Sequence, residues 1–532
     1  MSRVSKLRKS RDTWKHKCVD RGKTVRYQRK ELQRLKHERD RYKQRACQAT
    51  VTGGAPWVAP QGSKVDVVWF SLQLFLVVHL SFRAVSRVLA LLAEPLGLPI
   101  APCPQTVSNW VSRLSLARIS HCTGAGEGHS AAKRSGPGAI WVLDTSIALG
   151  DGKILAVLAV NLHHYLVSCR APRLAQVTCL AVCVAPSWTG ERIADVLANL
   201  IAVTGCPAAY LKDGGSDLAK AVRLLAERSL ASPCIRDISH LSANLLKHEY
   251  QQHPLFASFV SACGAVSTAL KHTILACLAP PKVSLKSRFM NLHRLVTWAH
   301  RVLQHSPPGR ASQDSMLARL RAGVGQLPAC KPFITRFLRD AQALLACQKL
   351  LKDNGLSPTS YQACQPLLDT MPAQSAVRQG FMEWADQQLS VCRALGLEQT
   401  GMPITSDTIE SLFGIAKQHG VGTIKDANRI ALRLPAFTGE LTPEDVHHML
   451  HIRVKDQQAI LGALPSLVRQ RQDILPHPGR LEDLSGQRDL PANLVLLPGS
   501  KSRVNTTIVP YISASYDQST GPPMLPQDAH TG

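Results

Sequence analysis

A change of hydrophobic rhythm near residue 139 constrains the fold more than any other feature of the chain. Three apolar runs follow one another there, and we interpret them as strands over 140–145, 154–161 and 176–184. Short apolar runs that are rich in β-branched residues and bounded by turn residues such as Gly150 are typical of strands. Three such strands in succession predict an antiparallel start to a sheet.

Helices and strands alternate after these three runs. Amphipathic helices are predicted over 191–203 and 218–228, and each leads into a short strand, over 208–212 and 234–238. The resulting order, β-β-β-α-β-α-β, indicates an α/β fold with a mixed sheet, and the ribonuclease-H-like fold is the best-known fold with this order. From 240 to 397 the pattern is helical throughout, which predicts an all-α insertion.

These patterns predict six regions of the chain. They are a basic helical arm with possible coiled-coil character (1–50), a helix-turn-helix-like region (64–119), the first part of the α/β core (139–249), a helical insertion (250–400), a helix that completes the core (401–435), and C-terminal helices with a disordered tail (436–532).

The charge of the chain predicts a polyanionic partner. Lys and Arg outnumber Asp and Glu by 63 to 37, and the net charge is +26. Thirteen of these excess positive charges lie within residues 1–47. The longest apolar run, 67–80, is too short to span a bilayer, so we expect a core helix there and nucleic acid rather than membrane as the partner. We also expect no secretory signal, a cytoplasmic location and reduced cysteines, because the cysteines are scattered singly.

Two helical segments are candidates for DNA contact. Residues 14–42 form a broken heptad that could pair with a second copy and lie along phosphates, or could be only a solvated charged helix. The helix over 105–119 is predicted to bury an apolar stripe that includes Trp110. Its predicted exposed face is polar and contains Gln105, Ser108, Asn109, Ser112 and Arg113. This face fits a helix-turn-helix that contacts bases and phosphates, and the alternative is an ordinary helical hairpin.

Three acidic residues are candidates for metal-dependent phosphodiester chemistry, which needs carboxylates to hold divalent cations. Asp144 interrupts an apolar strand, where an unpaired buried carboxylate is costly, so a metal ion is favoured over a simple turn role. Asp213 precedes two glycines at the end of a strand and could equally form an Asp-Gly turn. Asp217 and Asp237 are alternatives to it. Glu410 could belong to a capping box that begins at Asp407.

Three sequence segments together resemble the catalytic segments of bacterial insertion-sequence DDE transposases. They are Trp-Val-Leu-Asp-Thr-Ser at 141–146, Leu-Lys-Asp-Gly-Gly at 211–215, and Asp-Thr-Ile-Glu-Ser-Leu-Phe-Gly-Ile-Ala-Lys at 407–417. The resemblance covers residues 65–435. It implies a ribonuclease-H-like fold and two Mg²⁺ or Mn²⁺ ions held by Asp144, Asp213 and Glu410. It also implies that the N-terminal region binds terminal inverted repeats, and that Lys417 contacts substrate DNA.

The same resemblance implies a homo-oligomer assembled on double-stranded DNA, both inverted repeats and target, in a bacterial cytoplasm and on the nucleoid. The spacing of 197 positions from Asp213 to Glu410 requires a member with an insertion before the Glu. Glu383 is the alternative third ligand. His240 either forms a hydrogen bond near the site or is an ordinary core or surface histidine.

Three functions follow as hypotheses. The leading hypothesis is an active transposase that cleaves DNA at the ends of a mobile element and joins them to target DNA. The second is a non-catalytic DNA-binding protein whose acidic residues serve only as helix caps and turns. The third is a ribonuclease-H-like nuclease that cuts DNA without joining it. All three predict binding to DNA that weakens as salt is added.

Overall fold

A computed structural model gives the structure of most of the central part of the chain. Apart from the single residues Gln33 and Gln472, the structure describes residues 64–94, 101–121, 138–145, 152–162, 172–283, 289–307, 309–313, 315–418, 426–452 and 495–497. The chain divides into two compact units. One comprises 1–62 and 93–99, of which only Gln33, Ala93 and Glu94 are described, so the predicted basic arm lies outside the described residues. The other comprises 63–92 and 100–532 and contains every element below.

A mixed sheet forms the centre of this second unit. Its strands are β1 (Ala139–Thr145), β2 (Lys153–Asn161), β3 (Val177–Ala185), β4 (Ala209–Lys212), β5 (Cys234–Arg236) and β6 (Val495–Leu496). Their order across the sheet is β5-β4-β1-β2-β3-β6. The first three strands pair antiparallel, whereas β4 and β5 run parallel to β1. The antiparallel start predicted from the three apolar runs is therefore confirmed.

The two central strands are apolar because both of their faces are covered. β1 from Ala139 to Leu143 and β2 from Ile154 to Val160 are buried without alternation. A strand that is covered on both faces has no solvent side and therefore no polar positions of period two. Asp144 and Thr145, at the end of β1, are the first of its residues to be partly exposed.

Two crossover helices connect the parallel strands. Helix α4 (Gly190–Thr204) precedes β4 and helix α5 (Ser216–Glu227) precedes β5, so the predicted order of elements is confirmed. Helix α4 begins after Thr189, whose hydroxyl accepts from the Arg192 amide, and it ends at Gly205 with a φ of 82°. Both helices contribute buried residues, such as Leu197 and Leu225, to a core that is shared with the sheet.

The region between residues 238 and 418 is helical. Its helices are α6 (Ile238–Tyr250), α7 (Phe256–Leu270), α8 (Leu292–Gln304), α9 (Met316–Val324), α10 (Lys331–Asn354), α11 (Pro358–Gln362), α12 (Gln365–Leu368), α13 (Ala376–Ala394) and α14 (Asp407–Gln418). Among its described residues the one β-type contact is an isolated bridge between Leu356 and Met402. Phe333 and Phe337 on α10 are fully buried and pack around Tyr250 of α6, which anchors this region to the helix that follows β5.

Helices from both ends of the second unit pack together. The early helices are α1 (Lys64–Leu76), α2 (Phe82–Leu91) and α3 (Pro104–His121), and the late ones are α15 (Ala427–Ala431), a 3₁₀ turn (Leu434–Phe437) and α16 (Pro443–His451). The buried guanidinium of Arg118 on α3 donates to the carbonyls of Ala436, Thr438 and Glu440 and to the Asp445 carboxylate. The apolar run 67–80 is a core helix only as far as Leu76, and Val77 and Val78 beyond it are exposed.

The chemistry of the cysteines agrees with the expectation of reduced thiols. Eleven of the fifteen cysteines lie in the described part of the chain, and all eleven are free. Seven of them, such as Cys179 and Cys347, are buried and act as small apolar core residues.

Candidate active site

Strands β1 and β4 bring two predicted carboxylates to the same edge of the sheet. They are parallel neighbours, and Leu143 is in register with Lys212. The residues that follow this pair, Asp144 and Asp213, therefore lie side by side where the two strands end. The carboxyl ends of parallel strands are where binding sites of open α/β sheets are usually built.

The Asp144 carboxyl lies in an environment that disfavours its charge. Burial at the end of the apolar strand raises its pKa to about 7, and the negative charge of Asp213 is the second cause. Glu410 raises the pKa further, while the Thr145 amide and the charge of His240 lower it. Three predicted residues, Asp213, Glu410 and His240, therefore act on Asp144 at the edge of the sheet. A carboxyl whose charge is disfavoured by burial and by two other carboxylates is typical of functional sites.

Asp213 forms the turn that was considered as its alternative role. Its Oδ1 accepts a hydrogen bond from the Gly215 amide at 2.9 Å. An added Cβ on Gly215 would lie 2.9 Å from that oxygen, so the glycine lets the carboxylate approach the backbone closely. The turn fixes one carboxylate oxygen, but a carboxylate has about four acceptor positions on its two oxygens. The turn role and a metal-ligand role are therefore compatible.

Helix α14 brings Glu410 to the same edge. Asp407 is the first residue of this helix rather than its cap, and its Oδ2 accepts from Lys352 Nζ at 2.6 Å. Glu410 Oε1 lies 3.5 Å from His240 Nε2. The hydrogen bond with Glu410 is the main cause that raises the pKa of His240, ahead of the charges of Asp237 and Asp213. His240 is thus neither a core nor an isolated surface histidine, but part of the acidic group.

The alternative ligand Asp237 has a different task. It is 1% exposed, and both of its oxygens already accept hydrogen bonds. Oδ1 accepts from the His240 amide at 2.8 Å and caps α6, whereas Oδ2 accepts from the amide and the hydroxyl of Ser406 at 2.6 and 2.9 Å. Asp237 thereby fastens the helix of His240 to the residue before the helix of Glu410. We assign it a positioning role.

Glu383, the other alternative ligand, lies on the exposed face of α13. The neighbouring Trp384 is buried, and its indole donates to the Arg236 carbonyl at 3.3 Å. This contact turns the opposite side of α13 toward β5. The charged groups that act on Asp144 are Asp213, His240 and Glu410, and Glu383 is not one of them.

The polar face of α3 is less accessible than the sequence predicted. Ser112 is 5% exposed, and its hydroxyl donates to the Ser108 carbonyl. The Arg113 guanidinium donates to the carbonyls of Leu450 and Ile452, at the end of α16. The prediction that Ser112 is exposed is therefore wrong, and Arg113 is half-buried because its guanidinium is turned to the backbone at the end of α16.

Three other residues of this face keep some exposure. Gln105 is exposed, Ser108 and Asn109 are half-buried, and the Gln105 amide donates to Asn109 Oδ1 at 2.9 Å. Trp110, predicted to be an inward anchor, is only half-buried, whereas Val107 and Val111 are fully buried. The backbone of Lys417 lies in α14, but its side chain lies outside the described residues.

The donor chemistry of the site fits a divalent cation. Carboxylate oxygens are the ligands that Mg²⁺ prefers, and it is commonly held by one or two carboxylates together with water and substrate phosphate. A cation beside Asp144 would also relieve the repulsion that Asp213 and Glu410 impose on it. Within the described residues, no three His, Cys, Asp or Glu side chains already form a closed metal cluster. Asp144 and Asp213 suffice in number for Mg²⁺, and the charge of Glu410 also acts on Asp144.

A cavity of about 950 Å³ lies next to His240, and Asp144, Asp213 and Glu410 are not among its lining residues. His240 and Asp407 line it, and so do two lysines, Lys247 and Lys352. Sequence reasoning missed both lysines. Lys247 is seven residues after His240, two turns along the same face of α6, so that spacing could have indicated it. Lys352 is on α10, and the sequence contains no sign that α10 reaches the site.

Comparisons with known proteins add little to this description. No protein-family model matches the chain, and no curated protein matches its sequence. Among solved structures, the Drosophila P element transposase strand transfer complex is similar with a TM-score of 0.37 and 10% sequence identity. The alignment covers 71% of this chain and 91% of that chain. At this TM-score the overlap does not establish a common fold. No helix in the described part of the chain is both long and apolar enough to cross a membrane.

Proposed function

We propose that this protein is a DNA transposase of the DDE class, with a ribonuclease-H-like core in which Asp144, Asp213 and Glu410 are the acidic triad. The observation that carries the proposal is the meeting of three carboxylates from β1, β4 and α14. The charges of Asp213 and Glu410 both raise the pKa of Asp144. The strand order supports it too. Three antiparallel strands followed by two parallel ones, in the order β5-β4-β1-β2-β3, are the arrangement expected of a ribonuclease-H-like sheet.

The three carboxylates would hold two Mg²⁺ or Mn²⁺ ions. When bound, such ions generate the attacking oxygen and neutralise charge on the leaving oxygen of a phosphodiester. Neighbouring residues of the chain hold these carboxylates in position. The turn at Gly215 orients Asp213, His240 orients Glu410, and Asp237 keeps the helices of His240 and Glu410 at a fixed distance.

The cavity next to His240 supports DNA as the substrate. Lys247 and Lys352 line it, and an ammonium group attracts phosphate, although that of Lys352 is paired with Asp407. Among the residues of α3, Gln105 is exposed and Ser108 and Asn109 are half-buried, so they can contact an inverted repeat, whereas Ser112 is buried and the half-buried Arg113 already donates to backbone carbonyls. We propose further that the active form is a homo-oligomer assembled on its DNA, in a bacterial cytoplasm.

Nicking of a supercoiled plasmid that carries the ends of the element tests the proposal. The wild-type chain is expected to nick the plasmid with Mg²⁺ or Mn²⁺ and to be inactive with EDTA. Asp144→Asn, Asp213→Asn and Glu410→Gln are expected to abolish nicking while specific DNA binding is retained, because each removes a metal ligand rather than a phosphate contact. Glu383→Gln is the matched control, since it neutralises an exposed carboxylate of α13, and it is expected to nick like the wild type.

Each other outcome would indicate a different function or a different ligand set. Specific binding without nicking would indicate a non-catalytic DNA-binding protein. Nicking that never leads to joined products, with a target plasmid present, would indicate a nuclease. Loss of nicking in Glu383→Gln but not in Glu410→Gln would move the third ligand to α13.

A further inference from the structure

The positive charge of this chain lies almost entirely in two stretches. The N-terminal 47 residues account for thirteen of the 26 net charges. From Tyr250 to Arg339 the chain contains a single carboxylate, Asp314, and twelve basic residues: Lys271, Lys282, Lys286, Arg288, Arg294, Arg301, Arg310, Arg319, Arg321, Lys331, Arg336 and Arg339. The remaining 395 residues are therefore close to neutral. A charge excess concentrated in this way marks a binding surface for a polyanion.

Part of this stretch folds into one continuous groove. A concavity of about 620 Å³ lies between α8 and α10, and a second of about 730 Å³ lies along the start of α10. They share Thr335 and Arg339, so they are parts of the same depression. We call it the insertion groove and define it by its basic lining residues, His300, Arg301, His305, Lys331, Arg336 and Arg339. Among the described residues that line it, none is Asp or Glu.

The insertion groove is lined by basic residues, whereas the candidate active site is built from carboxylates. Arg301 and Lys331 are exposed. Arg336 forms an ion pair with Glu249 and also lies over the Tyr250 ring, with its guanidinium carbon 5.8 Å from the ring centroid. Arg339 Nε is 2.8 Å from Oδ1 of the buried Asp340. Arg336 and Arg339 are thus held in place by their partners, whereas Arg301 and Lys331 are exposed to solvent.

From these observations we propose that the insertion groove binds the sugar-phosphate backbone of duplex DNA. Its lining combines guanidinium and ammonium groups with the hydroxyls and amides of Thr297, Thr335, Gln304 and Gln342. Side chains of these types make most protein contacts to phosphate, which set the register of a protein on DNA without reading its sequence. This inference rests on the proposed function, because the bound DNA would be the flank of the duplex that is cut at the triad.

The test is binding of a labelled DNA duplex by the full chain over a range of salt concentrations. Arg301→Gln with Lys331→Gln removes two exposed charges and leaves Arg336 and Arg339 on their partners. Two lost phosphate contacts are expected to make the slope of log K against log salt less steep by about 1.8, and to weaken binding roughly tenfold at moderate salt. The matched control is Arg223→Gln with Lys349→Gln, which removes two exposed charges from α5 and from the last turns of α10. It is expected to keep the wild-type slope.

Two results would overturn the proposal. One is an unchanged slope and affinity in Arg301→Gln with Lys331→Gln. The other is an equal loss in the control pair, which would mean that net charge and not the groove matters. If the groove variant lost affinity for vesicles that contain phosphatidylserine while its DNA binding stayed intact, the groove would be a membrane surface instead. Because the assay measures binding alone, absence of nicking would leave this result standing, and the two proposals can fail separately.

Discussion

Asp144 is a carboxyl that weakens the fold when it is charged. Its pKa in the folded chain is about 7, above the ordinary 3.8. The folded state therefore binds a proton more tightly than the unfolded state does. Stability is highest below about pH 4 as far as this group is concerned, and it falls as the pH rises from there to 7, because the unfolded chain releases the proton first. A bound divalent cation would offset that loss.

Asp144→Asn is therefore expected to stabilise the metal-free protein at pH 8. A residue of the same shape without charge removes the unfavourable burial and the repulsion from Asp213. We expect a gain on the order of 2 kcal/mol, or about 2 °C in melting temperature for a chain of this length. Thermal unfolding in EDTA at pH 8 and at pH 4 measures it.

At pH 4 the melting temperatures of the wild type and Asp144→Asn should differ much less than at pH 8, since Asp144 is protonated in the folded wild type. Added Mg²⁺ at pH 8 should raise the melting temperature of the wild type but not that of the variant. If the wild type and Asp144→Asn had equal melting temperatures at pH 8 as well as at pH 4, the charge of Asp144 would not destabilise the fold.

At the scale of elements, the contact between α6 and α14 depends on one buried side chain. The three hydrogen bonds that Asp237 accepts join the cap of α6 to Ser406, the residue that precedes α14. The parallel strands β4 and β5 place α6 at the sheet edge, and α14 packs against β1. The carboxylate of Asp237 joins these two helices and so helps to fix the position of Glu410.

Asp237→Asn is expected to destabilise the fold by about 3 kcal/mol, because in either orientation the new NH₂ group would face a donor, the His240 amide or the two donors of Ser406. Ser406→Ala is the milder comparison, since it removes only the hydroxyl bond, and it should cost about 1 kcal/mol. Urea unfolding measures both free energies. A loss in Asp237→Asn no larger than that in Ser406→Ala would mean that the backbone bond to Ser406 contributes nothing.

At the scale of the whole molecule, the early helices depend on the late ones. Arg118 on α3 donates to carbonyls more than 300 positions further along the chain and to the Asp445 carboxylate. Its side chain is 9% exposed, so these partners replace water. Arg113 is a second, less buried connection, to the end of α16.

Arg118→Ala is accordingly expected to cost about 3–5 kcal/mol, because four acceptors lose a buried charged donor. Arg113→Ala should cost about 1–2 kcal/mol, since its two acceptors lie near solvent. Chemical denaturation of both variants measures the difference. If Arg113→Ala instead left stability unchanged and weakened sequence-specific DNA binding, Arg113 would be a base-contacting residue after all.

The sequence predicted the strands well because β1, β2 and β3 are short, uniformly apolar and bounded by turns. The position of Asp144 and Asp213 at the edge of the sheet could be predicted for the same reason, since a carboxylate at the end of an apolar strand is conspicuous in the sequence. The pairing of His240 with Glu410 could not. This pairing depends on where the chain returns to the sheet after a helical region of more than 150 residues. No local sequence pattern indicates that position.

The surroundings of α3 were also beyond local prediction. Its periodicity correctly placed Val107 and Val111 inside, but Ser112 and Arg113 are polar residues covered by a distant helix. Helical periodicity reports one buried face, and it cannot report a second face that is covered through hydrogen bonds rather than apolar contact.

The long separation between Asp213 and Glu410 also sets an order of events during synthesis. At about 5–20 residues per second, a ribosome needs roughly 10–40 s to extend the chain from one carboxylate to the other. During that interval the nascent chain has the sheet strands β1 to β5 but lacks Glu410, Ser406 and the late helices that hold α3. A truncated or stalled chain is therefore a chemically incomplete one. If the protein cuts DNA, translation itself delays that capacity until its last quarter has emerged.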